Sequence, residues 1–151
     1  MIEIKIKETK YFLIIMAISL IALTSCSSGP PVYNSLGPVS SDPLVTQKLV
    51  GTAIMSASRF YEEWTITKLR PGEMKGVLNY GPHLANVSIP YDTNQFRIVY
   101  KDSRNFAFDD EEQSIHPRYN DWVKKLESRI NEEIQYHIQL AQQQAENRGQ
   151  Q

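Results

Sequence analysis

The sequence predicts an α+β domain in which a four-stranded antiparallel meander is flanked by an N-terminal and a C-terminal helix, both packed on one face of the sheet (α-β-β-β-β-α). Three observations predict this fold class. Apolar residues follow helical spacing, then alternate with a period of two from Trp64 to Tyr100, then return to helical spacing after Pro117. The alternating runs are separated by short turn sequences, which favour hairpins over crossover helices. Regular alternation also indicates that only one sheet face is buried.

The first helix is predicted to begin at Asp42-Pro43, with Asp42 as the N-cap and Pro43 at the first helical position. Apolar residues then recur at helical spacing, namely Leu49, Val50, Ala53, Ile54, Ala57 and Phe60. Charged and polar residues fall between them. This pattern is typical of a helix that buries one side.

The four strands are predicted from alternating apolar residues that share one face. The residues on this face are Trp64 and Ile66, then Met74, Gly76 and Leu78, then Ala85, Val87, Ile89 and Tyr91, and finally Phe96, Ile98 and Tyr100. Pro71-Gly72 marks the first turn, Gly81-Pro82 the second and Asp92-Thr93-Asn94 the third. The sequence therefore predicts a meander of neighbouring hairpins.

The second helix is predicted to begin at Ile115-His116-Pro117. Its apolar stripe consists of Tyr119, Trp122, Val123, Leu126, Ile130, Ile134 and Ile138. Charged residues cover the opposite side, so this stripe is expected to close over the half-buried sheet. The segment 139–151 is rich in glutamine, and we expect a fraying helix end followed by disorder.

Composition excludes several classes of protein. The chain of 151 residues holds 16 Lys+Arg and 17 Asp+Glu, a net charge of −1, so no nucleic-acid partner is expected. A single cysteine excludes an intramolecular disulfide framework and a cysteine-rich metal site. No metal and no cofactor is predicted, apart from a lipid on that cysteine.

The first residues have the form of a lipoprotein signal peptide. Lysines precede an uncharged apolar run from Phe12 to Leu23, which at about 1.5 Å per residue is too short for a ~30 Å hydrocarbon core. The run ends in Leu23-Thr24-Ser25-Cys26, which resembles the lipobox of bacterial lipoproteins. The resemblance implies cleavage after residue 25 and a diacylglyceryl thioether plus an N-acyl chain on Cys26. Several acyl chains give stable membrane attachment where one does not.

The same resemblance implies a location. Ser27 after the lipidated cysteine, in place of an aspartate, implies transport to the outer membrane, with the domain on its periplasmic face. The predicted organisation is a signal peptide at 1–25, the lipidated Cys26 with a flexible tether at 26–41, the α+β domain at 42–138 and the tail at 139–151. Fifteen flexible residues reach about 20–25 Å, so the domain is expected to hang near the membrane.

His116 is the candidate for chemistry, because it stands at a predicted helix start near the acidic run Asp109–Glu112 and near Tyr119. One interpretation is a general base or metal ligand assembled with those carboxylates. The favoured interpretation is a histidine that caps the helix. Phe106 and Phe108 are further candidates for binding, as exposed aromatic anchors, and they equally fit the end of the last strand packed under the second helix.

The stretch from Trp64 to Ile130 resembles a group of small, poorly characterised lipoproteins of Gram-negative bacteria. The matching features are Pro71-Gly72, Ile89-Pro90-Tyr91-Asp92, Phe96-x-Ile98-x-Tyr100-x-Asp102-Ser103 and Ile115-His116-Pro117-x-Tyr119-Asn120-x-Trp122-Val123. The resemblance implies an envelope location and an α+β domain, and it implies no activity.

The predicted function is that of a non-enzymatic binding or structural module of the cell envelope, for example an accessory subunit of an envelope-spanning complex. Its expected partner is another envelope protein or peptidoglycan, in addition to the membrane that holds the lipid. Two alternatives stay open. One is a small periplasmic hydrolase that uses His116 with the nearby carboxylates, and the other is a carrier with an apolar pocket for a small ligand.

Overall fold

The computed structural model describes residues 29–150, which form five strands and two helices. In chain order the elements are β1 (Ser35–Pro38), α1 (Gln47–Ser58), β2 (Trp64–Arg70), β3 (Glu73–Tyr80), β4 (His83–Pro90), β5 (Gln95–Arg104) and α2 (Pro117–Gly149). The signal peptide and Cys26 lie outside the described residues.

The strands form one antiparallel sheet in the order β1-β5-β4-β3-β2. The predicted α+β class and the meander of β2 to β5 are confirmed. The predicted number of strands is wrong, because a fifth strand, β1, pairs with β5 through Ser35 opposite Ile98 and Pro38 opposite Gln95. Irregular register occurs in β2 between Lys68 and Arg70.

One face of the sheet carries the core, and both helices lie on it. The predicted inward residues from Trp64 to Ile98 are all buried, and they form one apolar cluster with residues of α1 and α2. Val50, Ile54 and Ala57 come from α1, and the predicted stripe from Tyr119 to Ile138 comes from α2, except that Trp122 is only partly buried at the border of the core. The opposite face is polar or partly exposed, in agreement with the alternation in the sequence.

The segment predicted as a flexible tether is largely docked on the domain, from Pro30 to Pro38. Val32 N donates to the carbonyl of Gln113 at 2.9 Å, and Ile115 N donates to the carbonyl of Pro30 at 3.0 Å. The Asn120 side chain holds the main chain of Tyr33 and Pro31. Composition rich in Ser, Pro and Gly therefore did not indicate a free chain here, because partners on β5, on α2 and in the loop between them satisfy its backbone groups.

The start of α1 lies four residues later than predicted. Thr46 is the N-cap, and its Oγ1 accepts from Leu49 N at 3.1 Å. The Asp42 side chain instead accepts a hydrogen bond from Leu44 N at 2.8 Å. The two residues lie in a turn in which Val45 N donates to the Asp42 carbonyl. An aspartate followed by proline starts a turn as well as it caps a helix. The helix ends at Ser58, so Phe60 lies beyond it and is 57% exposed.

The start of α2 is where the sequence placed it. His116 is the N-cap, Pro117 opens the helix, and the helix continues to Gly149, well past the predicted fraying at Gln139. Within residues 29–150, no helix is long and apolar enough to cross a membrane.

Candidate binding surface

The start of α2 and the turn between β3 and β4 meet at one end of the domain, where they form a surface rich in rings and cations. We call it the aromatic–cation patch. Its members are Tyr61, Tyr80, His83, His116, Arg118, Trp122 and Lys125. Arg118, Trp122 and Lys125 lie on consecutive turns of α2, and His116 caps the start of this helix. Tyr61 follows α1, and the other two residues flank the β3–β4 turn.

The rings of the patch are in contact with one another. Trp122 packs edge-on against Tyr61, with 6.0 Å between centroids, and tilted against Tyr80 at 5.7 Å. His83 stacks on Tyr80 at 6.4 Å. All four rings are partly exposed, so each presents one side to solvent and one to the domain. Such rings add apolar surface at a fixed position, and they lose little side-chain freedom on binding.

Cations border these rings. The Arg118 guanidinium lies 5.3 Å from the Tyr80 ring centroid and donates to the Tyr80 hydroxyl at 2.8 Å. Lys125 Nζ lies 4.7 Å from the Trp122 centroid. Within residues 29–150, neither cation forms an ion pair with a carboxylate. Both charges are therefore open to an anionic group of a partner.

Two histidines that are distant in sequence come together here, with ring centroids 6.5 Å apart for His83 and His116. His83 Nδ1 donates to the carbonyl of Asn105 at 2.5 Å, since a carbonyl only accepts. His116 Nδ1 accepts from Arg118 N at 3.2 Å. In the neutral rings, Nε2 of His83 is then an acceptor and Nε2 of His116 a donor.

The predicted partnership of His116 with Asp109–Glu112 is not formed. The carboxylate of Asp109 accepts from Glu111 N and Glu112 N at 2.9 and 3.1 Å, which closes the acidic loop on itself. His116 uses its Nδ1 as a helix cap, in agreement with the favoured interpretation of this residue. In the described part of the chain, no three His, Cys, Asp or Glu side chains come together as a metal site.

The other predicted binding residues divide between core and surface. Tyr119 and Phe106 are buried, with 0% and 1% exposure. Burial agrees with the place of Tyr119 in the predicted apolar stripe, and for Phe106 it agrees with packing under the second helix and not with an exposed anchor. The two rings pack edge to face at 5.9 Å, because the chain after β5 turns inward under α2. Phe108 is half-buried and packs on Tyr100 at 4.7 Å.

Burial also changes the acidity of Tyr119. Its hydroxyl lies in the core without a hydrogen-bond partner among residues 29–150. Desolvation, with a smaller contribution from Tyr100, raises the pKa of Tyr119 well above its ordinary value. Because its hydroxyl is neutral and inaccessible, Tyr119 acts only in packing. It supports the rings of the patch indirectly, through the buried side chains against which it packs.

Sequence reasoning missed His83, Tyr80 and Arg118 as members of one surface. The available signal was the hairpin: the β3–β4 turn and the end of β5 lie at one end of a meander, and the chain must return from there into α2.

No protein-family model, curated protein or solved structure matches this chain. The candidate function therefore rests on the chemistry of the patch and on the lipoprotein signal that the sequence predicts at the N-terminus.

Proposed function

We propose that this protein is a non-enzymatic lipoprotein of the bacterial envelope, anchored through acyl chains on Cys26 at the periplasmic face of the outer membrane. We propose further that its domain binds another envelope protein through the aromatic–cation patch. The observation that carries this proposal is the contact series from Tyr61 through Trp122 and Tyr80 to Arg118. Trp, Tyr and Arg are the residue types that contribute most binding energy at protein interfaces.

The docked N-terminal segment supports a partner at the membrane surface. Pro30 binds the backbone of Ile115, which directly precedes His116 of the patch. Only Ser27, Ser28 and Gly29 then separate Cys26 from the docked chain, which begins at Pro30. Even fully extended, this connection spans about 14 Å, less than the reach predicted from composition. With a lipid on Cys26, the patch lies close to the bilayer, where it meets proteins that are themselves in the membrane.

The experiment is site-specific photocrosslinking of the full chain in cells that produce it. Photoreactive residues at Tyr80 and Trp122 are expected to give one protein adduct of defined mass. The matched control is Tyr136, which lies on the same helix and is 54% exposed. Adducts of equal yield at Tyr136, no adduct at Tyr80 and Trp122, or adducts with peptidoglycan would contradict a protein partner at the patch.

The anchor is tested separately. Cys26→Ala is expected to move the protein from the membrane fraction to the soluble periplasmic fraction, and mass spectrometry of the parent protein is expected to find Cys26 acylated at the N-terminus. A Cys26→Ala variant that still sediments with membranes would show that the lipid is not the anchor. This result would leave the crosslinking test of the patch unaffected.

A further inference from the structure

A groove of about 630 Å³ lies between α1 and the β2 edge of the sheet. Its location near the β2–β3 turn places it at the opposite end of β3 from the aromatic–cation patch. Met55 and Met74 give it apolar walls, and Tyr91 lines it as well. Gly51 leaves the space for Tyr91, since a Cβ at Gly51 would stand 2.8 Å from the Tyr91 hydroxyl.

The charged residues that line the groove are all cations. They are Lys48 on α1, Arg59 at the C-cap of α1 and Lys68 on β2, and no carboxylate of residues 29–150 lines the groove. Within residues 29–150, none of the three forms an ion pair. Lys48 and Arg59 are eleven positions apart on one helix face, which corresponds to about 16 Å. The positive charge therefore extends along the groove instead of concentrating at one point.

The β2 edge supplies backbone groups along the same groove. β2 is the last strand of the sheet, and the bond from Asn79 N to the Glu63 carbonyl fixes which of its groups face β3. By the antiparallel alternation, the N–H and C=O groups of Ile66 and Lys68 point away from β3. In the described part of the chain no strand pairs with this edge, and a sheet edge of this kind pairs with an added strand.

We infer that this groove binds an extended acidic peptide segment, which adds to β2 as a sixth strand. About 16 Å accommodates about five residues of extended chain. Alternate side chains of that segment enter the groove, where carboxylates meet Lys48, Lys68 and Arg59 and apolar atoms meet the two methionines. The remaining side chains lie over the other face, near Leu69, which is 59% exposed. Charge selects the ligand, and backbone pairing selects its extended form.

The test uses the full chain in a non-ionic detergent and a fluorescein-labelled peptide of alternating Thr and Glu, measured by fluorescence anisotropy. We expect saturable binding that weakens several-fold when salt is raised to about 0.5 M. Lys48→Glu combined with Lys68→Glu is expected to weaken binding at least tenfold. The matched control is Lys75→Glu combined with Arg97→Glu on the open face of the sheet, which is expected to leave binding unchanged.

Backbone pairing is tested with the same peptide carrying N-methyl groups on alternate amides. Because N-methylation removes donors and keeps the charges, it is expected to abolish binding when it falls on the amides that face β2. Equal binding of methylated and unmethylated peptides would overturn strand addition. No saturable binding below about 1 mM, equal loss in both double variants, or displacement by anionic phospholipid vesicles better than by peptide would overturn the peptide site. Circular dichroism confirms that each variant is folded.

Discussion

Asn120 on α2 accepts a hydrogen bond at 2.9 Å from the backbone amide of Tyr33, a residue 87 positions earlier in the chain. The same side chain donates to the Pro31 carbonyl at 2.9 Å, and Asn120 itself is only 8% exposed. The buried side-chain amide of Asn120 thus binds one N–H and one C=O group of the N-terminal segment. This contact turns a stretch with the composition of a linker into part of the domain.

We expect Asn120→Ala to lower the free energy of unfolding by about 1–2 kcal/mol, because it removes two part-buried hydrogen bonds to the backbone of Tyr33 and Pro31. Denaturant unfolding measures the loss, and limited proteolysis is expected to cut near Tyr33. The control is Asn86→Ala, which removes an exposed bond to Asp102 and is expected to cost less than about 0.5 kcal/mol. Equal effects of the two variants would show that the segment is not held by Asn120.

Gly37 is the position where β1 depends on the absence of a side chain. A Cβ there would stand 2.2 Å from the Phe96 ring, which is fully buried. Gly37→Ala is expected to cost about 1–3 kcal/mol through overpacking and to release β1 from β5, seen as faster amide exchange at Ile98. Gly149→Ala is expected to leave stability nearly unchanged, because an added Cβ would meet no other part of the described chain within 4 Å.

His116 is predicted to act as a helix cap, and the variants separate this role from catalysis. His116→Ala is expected to cost about 0.5–1 kcal/mol of stability, whereas His116→Asn, which keeps a capping acceptor, is expected to restore most of it. A cellular phenotype that follows stability in both variants supports capping. A phenotype lost in the folded Asn variant would support the hydrolase alternative instead.

Tyr119 gives the protein a pH dependence in alkali. Because its folded-state pKa is raised mainly by burial, the folded chain keeps the phenolic proton at pH values where the unfolded chain, with a pKa near about 10, has released it. The contribution of Tyr119 to the free energy of unfolding is therefore fully present below the pKa of the unfolded chain, and it is lost as the pH rises above that pKa. We expect Tyr119→Phe to reduce the alkaline loss of stability, measured by denaturant midpoints across this range.

At neutral pH the same variant is expected to be neutral or to gain about 1 kcal/mol, because it removes a buried hydroxyl without a partner. Tyr136→Phe, at an exposed position on the same helix, is the control and is expected to keep the alkaline loss of the parent protein. An unchanged alkaline profile in Tyr119→Phe would show that other groups cause the loss.

The regular spacing of apolar residues was enough to predict much of this fold from the sequence alone. Strands β2 to β5 and the start of α2 follow from alternation and from His116-Pro117, because each residue's burial there depends on its own position within a regular element. The tertiary structure alone decided the rest. β1 has four residues, two of them Gly and Pro, and becomes a strand only because β5 offers a free edge and Phe96 fills the space above Gly37. The aromatic–cation patch likewise depends on the tertiary structure. His83 and His116 meet only because the meander brings the β3–β4 turn next to the start of α2.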